Sequence, residues 1–109
     1  MQKFITIIVA TLVGVGCASR QYASTAYAGL PEIEITTKDA RFSIIDNSAQ
    51  SRMRVSTDLA TVIGFGAGVG TFYRTAAEQY LRENAPTCNI SDGYFLAEPH
   101  WEYVYKCAP

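Results

Sequence analysis

The chain has 109 residues, with nine Lys/Arg against ten Asp/Glu, one histidine and three cysteines. This near-neutral balance, with arginines scattered among carboxylates, excludes a basic nucleic-acid-binding face. A single histidine and no Cys-x-x-Cys leave a structural zinc site without ligands, and the length suits one small domain that would gain from a disulfide.

The N-terminus runs from Lys3 into a nearly apolar stretch, Phe4 to Val15, closed by the small residues Gly16 and Cys17. Charge, about a dozen apolar residues and then small residues is the layout of an export signal, too short for a comfortable membrane span. The ending Val13-Gly14-Val15-Gly16-Cys17 resembles the lipobox of bacterial lipoproteins, with Gly14 where that family has Leu or a branched side chain. The resemblance covers the first 17 residues only. It implies diacylglycerol transfer to the Cys17 thiol, removal of residues 1–16 and acylation of the new amino group. It also implies a membrane anchor for the domain behind it. Ala18 and Ser19 follow the cysteine without the Asp that marks inner-membrane retention in enterobacterial lipoproteins. In a Gram-negative host the resemblance therefore implies the outer membrane, facing the periplasm. Ordinary secretion competes with this reading, with cleavage after Ala18 or after Ala28.

Cysteine arithmetic bears on the choice. An exported protein tends to pair its cysteines, and lipidation of Cys17 accounts for the odd one, leaving Cys88 and Cys107 to form a bridge.

Residues 17–30 are small and polar without periodicity and are expected to form a tether, with Tyr22 and Tyr27 incidental to it. The domain is expected at 31–109. Glu32-Ile33-Glu34-Ile35-Thr36 alternates polar and apolar, which predicts a short half-buried strand. Lys38-Asp39 marks a turn, and Arg41 to Ile45 forms a second strand that stops at Asp46-Asn47-Ser48. Arg52-Met53-Arg54-Val55 alternates again, as a third strand or an extended lead-in. Ser56-Thr57-Asp58 offers helix-capping oxygens. From Gly70 to Asn84, Phe72, Ala76 and Tyr80 with Tyr73, Ala77 and Leu81 fall at helical spacing, and Pro86 bounds the helix. The segment 58–69 reads equally as helix continuation or loop.

Trp101, Tyr103, Tyr105 and Cys107 share one face of a C-terminal strand. Placing Cys88 opposite Cys107 in an antiparallel hairpin pairs Ile90 with Tyr105, Asp92 with Tyr103 and Tyr94 with Trp101. The bend then falls at Ala97-Glu98 beside Pro99, and a bulge is expected at Gly93. Asp92-Gly93 is itself a turn signal, so a shorter, shifted hairpin is the alternative. The fold expected is α+β: a small antiparallel sheet packed on one main helix, with a disulfide-stapled C-terminal hairpin.

Functional signals are sparse. The run Gly64-Phe65-Gly66-Ala67-Gly68-Val69-Gly70 lacks the spacing and the Gly-Lys-Ser/Thr ending of a phosphate loop. Its Gly64/Gly68 and Gly66/Gly70 pairs resemble the glycine zippers of some outer-membrane lipoproteins; the competing reading is a closely packed start to the main helix. Any Ser-His or Cys-His chemistry must run through His100, at the bend, where a histidine is ordinarily a solvated polar residue. Glu32 and Glu34 could pair as carboxylates but read as the wet side of a strand. Trp101, Tyr103 and Tyr105 are either a binding platform or the face that packs on the helix, and the domain needs them as core. That leaves Val62, Ile63, Phe65 and Val69 as the surface for a partner. The function expected is a non-enzymatic envelope lipoprotein with a protein partner, no cofactor and no metal. The alternatives are a soluble exported effector or inhibitor, and a small hydrolase using His100 with a neighbouring Ser or carboxylate.

Overall fold

The computed structural model describes residues 25–65 and 68–109, apart from the side chains of Leu59 and Phe65. Cys17 and the lipobox lie outside the described residues. Among those described, the strands are β1 (Glu32–Thr36), β2 (Arg41–Asn47), β3 (Arg52–Ser56), β4 (Cys88–Ala97) and β5 (His100–Cys107). The helices are α1 (Leu59–Phe65) and α2 (Val69–Asn84). The sheet is antiparallel throughout, in the order β1-β2-β3-β5-β4, so β5 lies between β3 and β4. The fold is α+β, with one main helix on a five-stranded sheet.

Local chemistry sets each turn. Between β1 and β2 the Thr37 hydroxyl accepts from the backbone N–H groups of Asp39 and Ala40 at 3.1 and 3.2 Å, a side-chain turn that closes the hairpin. After β2, Asn47 Oδ1 accepts from Gln50 N, and Ser51 takes a left-handed φ of 55° to reverse the chain. Asp58 is the helix-capping residue: its Oδ1 accepts from Thr61 N at 2.7 Å and from the Thr61 hydroxyl at 2.8 Å. These bonds hold its carboxyl below the ordinary 3.8, as hydrogen bonds to the charged form do.

Strand alternation sends Ile35, Phe42, Ile44, Met53, Val55, Tyr103 and Tyr105 to one face, where α2 covers them with Tyr73, Ala76, Ala77, Tyr80 and Leu81. Ala76 and Ala77 are fully buried; their small side chains let the helix lie close while the large ones fill the flanks. Each large apolar side chain so buried contributes about 1.5–3 kcal/mol. Tyr73 stacks on Trp101 with ring centroids 5.8 Å apart, and the Tyr103 hydroxyl donates to Gly70 O at 3.1 Å. The strand aromatics are therefore core, with Trp101 at its margin. The helix stripe is carried by Tyr73 and Tyr80, with Phe72 half-buried beside it.

The stapled hairpin is present, with Cys88 bridged to Cys107 and Ile90 opposite Tyr105. Beyond Ile90 the expected register is corrected. Asp92 pairs with Val104, Gly93 with Tyr103, Tyr94 with Glu102 and Phe95 with Trp101, because a bulge between Ile90 and Asp92 inserts one residue. Its physical reason lies at Gly93: any Cβ there would collide with the Tyr103 ring. The slip also carries Asp92 and Tyr94 off the aromatic face. The segment 58–69 is helical to Phe65, and Gly68 with φ 80° starts α2 as a separate helix. Gly64 and Gly68 therefore do not share a helix face, and Gly66 lies outside the described residues. Gly70 is closely packed, its ideal Cβ only 2.8 Å from Trp101 Cη2.

Candidate functional site

With α2 on one face, the other face of the sheet collects the polar members of every alternation: Ser43 and Arg41 on β2, Arg52, Arg54 and Ser56 on β3, His100 and Glu102 on β5. Register sets them in rows. Ser43 lies opposite Ser56 and Ser56 opposite His100, and in the neighbouring row Arg54 stands between Ile45 and Glu102.

Glu102 is fully buried on this face. A carboxylate taken from water needs partners, and it has them. The Tyr27 hydroxyl donates to Oε2 at 2.6 Å, Arg52 Nη1 donates to Oε1 at 3.3 Å, and the Tyr94 hydroxyl donates to the same oxygen. Tyr27, expected to be incidental to a tether, is 3% exposed and belongs to this cluster. Asn47 Nδ2 donates to Ala26 O at 2.8 Å and helps fix the segment across the sheet. The Arg54 guanidinium lies 5.7 Å from the Tyr27 ring centroid, within cation–π range.

Beside this cluster a cavity of about 370 Å³ is lined by Glu32, Arg41, Ser43, Arg54, Ser56, Thr57, Asp58 and His100. Ser56 Oγ and His100 Nδ1 lie 2.6 Å apart. Burial, and secondarily the Arg54 charge, push the His100 pKa below the ordinary 6.5, so the ring is neutral at pH 7. Thr57 donates to Arg41 O at 2.8 Å, and Arg41 pairs with Glu34 across 3.0 Å in an exposed ion pair. Glu32 and Glu34 thus stand apart in role: one lines the cavity, the other holds Arg41.

The surface expected for a partner divides. Ile63 is 81% exposed, whereas Val62 and Val69 pack against the core; the Phe65 side chain is outside the described residues. Among the described residues no three His, Cys, Asp or Glu side chains are grouped to hold a metal ion. None of the described helices is long and apolar enough to cross a membrane.

Sequence reasoning found His100 but not its companions. Arg41, Ser43 and Arg54 were legible only as strand residues and Ser56 only as a helix-capping oxygen, and it is the order β2-β3-β5 that places them around one hollow. The signal available was the charge type: two arginines on adjacent strands at the same facing parity. Comparison of the chain with protein-family models, with curated protein sequences and with solved structures finds no match in any of the three.

Proposed function

We propose that the chain is a non-enzymatic envelope lipoprotein, held at the membrane through acylated Cys17, whose domain binds another envelope component. The observation that carries this reading is the Cys88–Cys107 disulfide. It accounts for two of the three cysteines and leaves Cys17, at the end of the signal-like run, as the thiol with another task. In a Gram-negative host the anchor would sit in the outer membrane with the domain in the periplasm. Exposed Ile63 on α1 is the apolar point on which a protein partner would dock. Metabolic labelling with a clickable fatty acid tests the anchor: Cys17→Ser should abolish labelling, and unchanged labelling contradicts the reading. Crosslinking in intact cells tests the surface, with Ile63→Asp expected to weaken partner recovery while the melting point is kept.

A second reading has one observation in its favour. Ser56 at 2.6 Å from His100 Nδ1 is the neighbour a small hydrolase would need. It ranks second because the two residues face each other across β3 and β5, so sheet pairing alone brings them together. Turnover of activated esters that disappears in Ser56→Ala would favour the hydrolase; the binding reading expects none.

A further inference from the structure

We infer that the cavity on the helix-free face binds a carboxylate carried on a small polar molecule, with Arg54 as its principal anchor. The hollow, at about 370 Å³, falls within the range of small-ligand sites. Of its other charged walls, Asp58 caps α1 and Arg41 is paired with Glu34, while Glu32 lines the same hollow. Arg54 is different. The carboxylate opposite it in register, Glu102, is taken by Arg52, Tyr27 and Tyr94. Among the described residues Arg54 has no ion-pair partner, and its buried Nε finds no acceptor. The contact with the Tyr27 ring returns only part of the hydration the half-buried guanidinium loses, and an anion in the cavity would add a charge-assisted hydrogen bond.

The hydroxyl row adds neutral donors. Ser43 contributes an O–H. The Ser56–His100 pair contributes one more whichever tautomer the neutral ring adopts: either Ser56 donates to Nδ1 and Nε2–H is left, or Nδ1–H donates and the Ser56 O–H is left. Glu32 and Asp58 among the lining disfavour a polyanion, which selects a monoanionic carboxylate over phosphate.

The test is a titration of the isotopically labelled exported protein, followed by the Arg54 Nε–H and the Ser43, Ser56 and His100 amide signals. The probes are N-acetylglycine and inorganic phosphate, each against sodium chloride at matched ionic strength. N-acetylglycine should give saturable shifts at these residues and bind tighter than phosphate. Arg54→Gln should weaken it at least about tenfold, as loss of a hydrogen bond to a charged group does. Should Arg54→Gln fail to fold, Ser43→Ala and His100→Ala must each weaken binding. Shifts that do not saturate, tighter binding of phosphate, or affinity unchanged in the folded variants would overturn the assignment.

Discussion

Asp46 sits at the junction of helix and sheet, where its two carboxylate oxygens divide the work. Oδ2 accepts from the Tyr80 hydroxyl at 2.8 Å and Oδ1 from the Tyr105 hydroxyl at 2.7 Å. Burial, and then the hydrogen bond to Asp46, push both phenol pKa values above the ordinary 10.0. Asp46→Ala leaves two hydroxyls of buried residues without their acceptor and should cost about 2 kcal/mol in urea denaturation, with Asp46→Asn losing less. His100 predicts a pH dependence of known sign. Its folded pKa lies below 6.5, so below pH 6.5 the unfolded chain binds the proton first. Its contribution is complete above pH 6.5 and is lost as pH falls toward the lowered value. On acidification through that window wild type should therefore lose stability relative to His100→Asn. A wild-type curve parallel to the variant's would contradict the burial of the ring.

At the scale of elements, the β4–β5 hairpin shows where sequence reading succeeds and where it stops. The disulfide and the facing of Ile90 and Tyr105 were legible, because alternating residues and one pair of cysteines fix a register as far as the strands stay regular. The bend, expected at Ala97-Glu98, falls one residue later, with Ala97 still paired to His100. A bulge was expected at Gly93, but its place directly after Ile90 was not legible, since polar Ser91, Asp92 and Gly93 carry no apolar alternation to mark where the one-residue slip falls. What sets it is the ring of Tyr103, ten residues on, which needs the space that Gly93 provides. Gly93→Ala should therefore destabilise the domain by about 1–3 kcal/mol, as overpacking does, with the loss read as a lowered melting point. Tyr103→Ala removes the ring itself and should cost about 3 kcal/mol or more. A melting point unchanged by both variants would mean that the hairpin does not pack on α2 as described. The segment 58–69 was open in the sequence between helix continuation and loop, because the glycine run weakens a helix without fixing where it breaks; among the described residues the positive φ of Gly68 marks the start of α2.

At the scale of the whole molecule, the α+β class follows from four features of the sequence: alternating strands, an amphipathic helix, a capping Asp and two distal cysteines. The functional face does not follow so directly. Tyr27 looked like part of a tether because its hydrogen-bond partner, Glu102, is 75 positions away. Arg54 looked like solvated strand because only the order β2-β3-β5 encloses it. The resulting architecture has a helix-covered face that holds the core and a polar face with the cavity, with a bridge spanning 19 positions. Closing a loop of that size is worth about 3 kcal/mol in the chain-entropy model. The proposed function joins this domain to a lipid through Cys17. Intact mass spectrometry of the exported protein under non-reducing conditions, with a thiol-alkylating reagent, tests that link most directly. The account predicts a chain that begins at acylated Cys17, carries the mass of its acyl groups and takes up no alkylating reagent. A chain that begins at Ser19 or Gly29 without lipid, or one alkylated at Cys88 and Cys107, would contradict it.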